Sequence, residues 1–509
     1  MRGAIAAGHP LTAQVGAEIL AEGGNAVDAC IAAGFASWVV ESPLTGPGGG
    51  GFMLVHRARD RTTRLLDFFV AVPGLGRTRR PVEMEAVDVD FDRETAQVFH
   101  IGSGSCAVPG NAAGLQAAHR AYGSVPWRRL LEPAIGLART GFELTRQQAY
   151  LHAILDVILR HTPEGRRVYR RRAAGTRLRF PDLGDTLERL AQRGARDLYE
   201  GELARAIVRH LRETGGAISA ADLRAYRVVR RRPLGARYRG HEVLSNPPPS
   251  SGGVLIAYGL RLLDRLPAVA PGSAGAMAQL AEVMREQSRA RQGRFASDLY
   301  RGGLGRRLLS DGSVRKALAR VRTVSGTTHI SVVDGTGNAA SLSASAGSGS
   351  GVIVPGTGIH LNNMLGEYDL RGTERPGARL TSMMAPSIVL QRGRPRLVVG
   401  SAGSVRLRGA ILQVIVNVVG HGFGVDEAIT APRVHLEGSE LHCEGGADAG
   451  ELDRLETMGY RPVRWRRRNL YFGGVSAVEF GDDGSLAAAG DPRRGGHGIV
   501  VGQPSRAQD

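Results

Sequence analysis

Lysine is nearly missing from this 509-residue chain: of its 66 Lys and Arg residues, Lys316 is the only lysine. The formal charge of +18 is therefore carried by arginine, and it is unevenly placed. From Thr327 onward 18 arginines meet 18 acidic residues, so the whole excess lies in residues 1–326. A nucleic-acid surface gathers basic residues on one face with aromatics between them. Here the arginine runs at 170–172, 230–232 and 466–468 are scattered and aromatics make up only 5% of the chain, so no nucleic-acid partner is expected. Few aromatics and 71 glycines leave Ala, Val, Leu and Ile to build the core, with many close backbone approaches. Cysteine is scarce as well. Cys30, Cys106 and Cys443 lie far apart, with no CxxC and no histidine at ligand spacing, which excludes a disulfide framework and a zinc site and leaves three small core residues. No uncharged apolar run reaches the roughly 18 residues that cross a bilayer. Ala29–Val40 comes nearest and is too short, so no membrane association is expected. The opening MRGAIAAGHPLTAQ runs straight into folded-looking sequence rather than a secretory signal, and the expected location is cytoplasmic.

Familiar catalytic signatures are absent too: there is no GxSxG elbow, no HExxH, and no GxGxxG opening a helix after a strand. The glycine run Gly46–Gly51 lacks a following Gly-Lys-Ser/Thr and leads into FMLVHR, which reads as a strand, so it is a packing turn rather than a phosphate loop. What is present is the patterning of a large α/β enzyme, with 42% apolar residues to fill its core. Leu11–Ala21 has helical spacing and stops at Gly23-Gly24, and Asn25 caps a second helix from about Val27. Ser124–Phe142 holds another helix, and Ser219 with Asp222 marks a helix start. SNPPPSSGG (Ser245–Gly253) is expected to be a rigid loop, because prolines lack donors. A basic, weakly patterned stretch from Arg285 to Arg322 then gives way, at Val324, to strand-like alternation. THISVVD and AASLSAS form a hairpin about residues 335–338, and two later segments, from Pro386 and Phe472, repeat the strand-turn-strand pattern.

That hairpin begins GTTHIS. A threonine hydroxyl is a weak nucleophile without a base beside it, and cutting the chain before it frees its own α-amine for that role. Such an amine titrates near about 7.7 to 8.0, so it is partly neutral at pH 7. Taken alone, a strand that starts with ordinary threonines explains these residues as well. The stretch nevertheless resembles the small-subunit start of the gamma-glutamyltransferase (gamma-glutamyl transpeptidase) family, and the resemblance spans nearly the whole chain. GHPLTAQVGAEILAEGGNAVDACIAA, ESPLTGPGGGGFMLV, AVPGNAAGL, NPPPSSGG, PGTGIHLNN, APRVH and GDPRRGG are all similar to family blocks and follow family order. The resemblance implies an N-terminal nucleophile hydrolase: a four-layer αββα sandwich of mixed helices and sheets, made as one precursor that cuts itself in two. Cleavage would fall between Gly326 and Thr327, giving a large subunit of residues 1–326 and a small one of 327–509 that remain partners. It further implies Thr327 as nucleophile, an amide acyl donor of γ-glutamyl type, water or an amine as acceptor, and no metal or organic cofactor.

Ser345 stands where the family has a second Thr that supports the nucleophile, and it keeps the hydroxyl. The family's oxyanion-hole backbone N–H groups map to Gly403 and Ser404. At the substrate pocket the match thins. The family's carboxylate-binding Arg is Phe69, its Asn is Gly347, its Gln or Glu after the Asn pair is Met364, and the second Ser of its Ser pair is Met383. Glu367 and Ser382 keep their kind of chemistry. A phenyl ring cannot replace a guanidinium fork. If a carboxylate is still bound, Arg379 or Arg406 is expected to take it; otherwise the acyl donor is larger or more apolar, as in related acylases. A non-catalytic paralogue is the third reading, and retention of Thr327 and Ser345 speaks against it. His329 reads as a packing residue, since the α-amine already fills the role of base.

Overall fold

The alternating runs flanking residues 335–338 fold as the expected hairpin, Thr328–Asp334 paired with Ala339–Ser345 from Thr328 opposite Ala344 to Val333 opposite Ala339. Asp334 holds its turn, accepting from the N–H groups of Thr336 and Asn338 at 2.9 and 3.1 Å. In this computed structural model, which describes residues 3–76, 83–91, 95–171, 173–310, 328–367, 375–403, 406–481 and 483–502, the hairpin is the middle of a seven-stranded antiparallel sheet. Its order is His497–Val501, Gly3–Ala7, Thr328–Asp334, Ala339–Ser345, Gly50–Arg57, Thr62–Phe68, Val229–Arg231. The two later strand-turn-strand segments form Ser387–Gln391 with Arg394–Ala402 and Gly474–Phe480 with Leu486–Gly490, and with Leu234–Tyr238 and His241–Ser245 they make a second, six-stranded antiparallel sheet.

The two sheets stack face to face. Phe52, Phe69, Val254, Ile388, Val398 and Val478 share the apolar layer that includes the space between them. Helices Pro10–Ala21 and Ala26–Val40 cover the outside of the first sheet, and Gly252–Leu263 and Leu407–Ile415 cover the outside of the second. The result is the expected αββα order. Helix Ala26–Val40 is buried along its whole length, which accounts for an apolar run that is too short for a bilayer; no described helix is long and apolar enough to cross one. Asn25 caps it in a reciprocal box with Asp28, as Ser219 does with Asp222. The helix expected within Ser124–Phe142 spans Trp127–Thr140.

One element went unread and two readings of local pattern are corrected. Gly3–Ala7 is a central strand that the small residues GAIAA did not announce. Ser245 ends a sheet strand and Gly252-Gly253 open a helix, so the rigid loop shrinks to residues 246–251. The stretch from Arg285 is not unpatterned: helix Ala274–Arg289 continues into it, followed by Phe295–Arg301 and Leu304–Leu308. The expected cleavage point lies outside the described residues. All three cysteines are buried and unpaired, and burial pushes the Cys106 and Cys443 thiols up to about 12.

Candidate active site

Ser345 is the last residue of its strand and is buried, its Oγ accepting from the Gly347 N–H at 2.8 Å. Its cross-strand neighbour on the other side is Gly50, next to the Gly51–Phe68 pair. This corner tolerates no extra atoms. A Cβ on Gly48 would stand 2.2 Å from the His360 carbonyl oxygen, one on Gly49 2.3 Å from that of Ser345, and one on Gly51 2.4 Å from that of Ser343. The glycine run is therefore the packing turn expected, bringing backbone against backbone where side chains would collide. The buried Asn pair fastens the loops around it. Asn362 donates to the carbonyls of Gly48 and Ala107, both at 2.8 Å, and accepts from the N–H groups of Ala107 and Met364 at 3.1 Å. Asn363 accepts from the Ser348 N–H at 3.0 Å and donates to its hydroxyl at 2.8 Å.

Glu367 is half-buried and comes to the same corner: a Cβ on Gly347 would lie 2.6 Å from its Oε1 and 2.0 Å from Asn363 Oδ1. Gly347 has φ +72°, so glycine suits both the space and the backbone there. Phe69 is buried and stacks on Phe52 at 5.5 Å within an apolar group that includes Met364, Leu380 and Met383. The chain after residue 378 runs beside it, with the Leu380 N–H donating to the Val70 carbonyl at 3.2 Å, and leads to Ser382. Ser382 is buried and structurally committed. Its Oγ accepts from the Met384 N–H at 3.1 Å, and its carbonyl accepts from the Ser251 N–H and from the hydroxyls of Ser250 and Ser251. Arg379 is already engaged: its guanidinium is ion-paired to buried Asp67 at 3.3 Å and lies over the Tyr226 ring at 4.4 Å. Arg406 lies over the Tyr471 ring at 4.2 Å.

From the second sheet, strand Arg394–Ala402 crosses strand Thr328–Asp334 at Gly400, where a Cβ would come within 2.3 Å of the His329 ring, and it leads into Gly403. Gly403 has φ +126° and its Cα hydrogen faces Gly473, where a Cβ would meet the Cα at 2.5 Å; only glycine fits. Thr327 and Ser404 lie outside the described residues. The structure thus gathers Ser345, Gly347, Asn363 and Glu367 at one corner and puts Phe69, Met364, Met383 and the segment carrying Ser382 beside it, while Gly403 follows a strand of the facing sheet and packs on Gly473.

His329 is fully occupied. Nε2 contacts the Ser331 hydroxyl at 2.9 Å, and that hydroxyl donates onward to the Ser476 carbonyl at 3.0 Å, so Nε2 carries the proton and Nδ1 accepts from Ser343 at 2.8 Å. Burial pushes its pKa down to about 3. It is a neutral structural imidazole, as read from the sequence.

Comparison with known proteins agrees with this geometry. The gamma-glutamyltranspeptidase family profile matches residues 12–501. The chain belongs to the gamma-glutamyltranspeptidase family. It is 32% identical to the acylase ACY 1 proenzyme of Pseudomonas sp. (strain SE83), over 98% of this chain and 94% of that protein. It is 31% identical to the glutathione hydrolase proenzyme of Escherichia coli (strain K12), over 97% and 90%. Among solved structures, the cephalosporin acylase from Bacillus halodurans superposes with a TM-score of 0.85 at 25% identity, covering 98% of this chain and 95% of that one. The gamma-glutamyltranspeptidase of Helicobacter pylori covers 61% of this chain and 89% of its own at a TM-score of 0.53 and 29% identity. The fold is therefore the N-terminal nucleophile αββα sandwich that the resemblance implied. In this gamma-glutamyltranspeptidase family member, sequence reasoning missed Arg494 and Glu41, which line a cleft with His329 and Ala402. The GDPRRGG block was the available signal: within it Arg493 is buried and paired with Glu444 and Asp491. Among the described residues no group of three or more His, Cys, Asp or Glu could hold a metal.

Proposed function

We propose that this protein is an autoprocessed amide hydrolase or acyltransferase that uses Thr327 as an N-terminal nucleophile. Cleavage after Gly326 frees the Thr327 α-amine, which takes the hydroxyl proton as Oγ1 attacks the amide carbonyl. The oxyanion is met by the backbone N–H groups at Gly403 and Ser404, and the amine half leaves with the proton. Water or an amine then attacks the acyl-enzyme. The hairpin register is the observation that carries this reading: a ladder pairing Thr328 with Ala344, continued by one residue, would put Ser345 opposite position 327, where its hydroxyl supports the nucleophile. The large and small subunits, 1–326 and 327–509, stay together because the first sheet interleaves strands from both. The test is N-terminal sequencing of purified protein. The expected result is a small chain beginning at Thr327, with Thr327→Ala left as one uncut, inactive chain; a wild type that remains uncut after long incubation removes the mechanism.

Two acyl donors suit this machinery. Glu367 and Ser382 support a γ-glutamyl amide, the substrate class of the glutathione hydrolases it resembles. Phe69 stacked on Phe52, with Met364 and Met383 buried beside it, favours a larger or more apolar acyl group, nearer to the acylases it resembles. We take the second, because the carboxylate grip is missing and Arg379 is spent on Asp67.

A further inference from the structure

Two sequence blocks that the proposed chemistry does not use, APRVH and GDPRRGG, meet in the folded chain. Arg433 of the first lies with Asp491 and Arg493 of the second and with Glu444 in a cluster of two arginines and two acids, each no more than 7% exposed. Arg433 pairs with Asp491 at 2.7 Å, and Arg493 pairs with Asp491 at 3.1 Å and with Glu444 through both Nε and Nη2. The four charges cancel, so the cluster needs no outside ion. Such a cluster is a poor source of stability, because apolar residues of the same volume often serve as well. What it can do that they cannot is aim hydrogen bonds.

Those bonds converge on one turn. Asp491 Oδ2 accepts from the Val475 N–H at 2.9 Å, Arg433 Nη1 donates to the carbonyls of Phe472 and Gly473 at 3.2 and 3.3 Å, and Glu444 Oε1 accepts from the Asn469 N–H at 3.1 Å. Residues 469–475 are thus held by three members of the cluster, and against them lies the chain that leads into the proposed oxyanion donors. Ala402 pairs with Gly474 across the sheet. A Cβ on Gly403 would lie 2.5 Å from Gly473 Cα, and one on Gly473 would lie 3.0 Å from the Ala402 carbonyl oxygen. Beyond Gly403, the Arg406 N–H donates back to the Gly403 carbonyl at 3.3 Å, and the Arg406 guanidinium lies over the ring of Tyr471, again in the turn. With backbone packed on backbone, a shift of the turn is passed to Gly403.

We propose that Asp491 is a positioning residue for the reaction: with Arg433 it holds the 469–475 turn against Gly403 and so aims the N–H groups of Gly403 and Ser404 at the oxyanion. The inference rests on the reading of Thr327 as nucleophile and of those two N–H groups as oxyanion donors. Asp491 acts through the turn, not on the substrate. The oxyanion exists only in the tetrahedral state, so a loosened turn lowers kcat and leaves KM where it was.

The test uses self-cleaved enzyme and two inhibitors of phenylacetyl p-nitroanilide hydrolysis, phenylacetaldehyde and 2-phenylethanol. Thr327 Oγ1 bonds to the aldehyde carbon, the C=O electron pair moves onto oxygen and the hydroxyl proton passes to the α-amine, so an oxyanion forms; the alcohol has no carbonyl and only fills the acyl site. Wild type is expected to bind the aldehyde more tightly. Asp491→Asn should cut that preference about ten- to a hundred-fold and lower kcat by a similar factor, with KM and the affinity for the alcohol unchanged. Arg433→Lys, which keeps the charge but loses the fork on the two carbonyls, and Gly473→Ala, which touches no charge, should show the same signature. Gly484→Ala is the control: its φ of +80° matches the +84° of Gly473, but a Cβ there meets nothing within 4 Å, and it should leave the preference intact. A wild type without preference for the aldehyde overturns the oxyanion reading and this assignment together. A preference that survives in Asp491→Asn, or in Arg433→Lys and Gly473→Ala should the first not fold, overturns this assignment alone, as does an equal loss in Gly484→Ala. Failure of all three variants to fold makes the cluster a stability element and also overturns it.

Discussion

Both ring nitrogens of His329 are engaged by buried serine hydroxyls, and burial pushes its pKa down to about 3, so the ring takes up a proton only weakly. It cannot supply the base for chemistry near neutrality. That leaves the proposed α-amine, which must be neutral to act, so kcat/KM should rise with pH through one ionisation at or below about 7.7. His329→Gln should keep that rising limb; its disappearance from a variant that still folds and cleaves itself would make His329 the base after all. Phe69 makes the second prediction at this scale. Phe69→Arg restores a guanidinium beside Glu367 and Ser382, and a charge-assisted carboxylate contact is worth about 1.5 to 3 kcal/mol. The ratio of kcat/KM for γ-glutamyl p-nitroanilide to that for phenylacetyl p-nitroanilide should therefore rise about ten- to a hundred-fold. No change in that ratio would mean that position 69 does not face the acyl group.

Among the elements, the glycine run between the first helices and the strand Gly50–Arg57 sets the geometry of Ser345. Alanine at Gly49 would press on the Ser345 carbonyl, whereas alanine at Gly46 would meet nothing within 4 Å. Overpacking against backbone costs about 1 to 3 kcal/mol, so Gly49→Ala should lower the urea midpoint and slow self-cleavage while Gly46→Ala does neither; equal behaviour of the two would show that the corner is loose. Elements of this local kind were legible in the sequence. The Asn25 and Ser219 caps, the 328–345 hairpin and the packing role of Gly46–Gly51 each depend on residues a few positions apart. Gly3–Ala7 was not legible, because GAIAA has no alternation to display: it is buried on both faces and its partners are residues 330–334 and 497–501. The candidate site divides the same way. Thr327 and Ser345 rest on motif resemblance, and the structure adds the register that supports them. The anchoring of the GDPRRGG turn through Arg493 and Glu444 joins residues 49 positions apart, a contact that no local pattern encodes.

At the scale of the whole molecule, the fold buries imidazoles that its pH response must reveal. His9 and His360 are buried, and desolvation holds each near a pKa of about 4, with His329 near about 3 and His435 well below its ordinary value. In the unfolded chain the same groups protonate near about 6.5. Between roughly pH 6.5 and 4 the unfolded state therefore binds protons that the folded state refuses, so stability rises with pH across that window and falls as pH is lowered through it. Each such imidazole contributes about 1.4 kcal/mol per pH unit where the difference is full, and several acting together outweigh one surface ion pair, whose typical worth is about 0 to 1 kcal/mol. The urea midpoint should accordingly be flat from pH 8 to 7 and fall steeply from about pH 6 to 4.5, before most carboxylates begin to titrate. The His329→Gln variant used for the rate profile carries one imidazole fewer and should show a shallower fall. A midpoint that holds level to pH 5, or a slope that His329→Gln leaves unchanged, would mean that these rings take up protons in the folded state and that the closed serine cage around His329 opens to admit them.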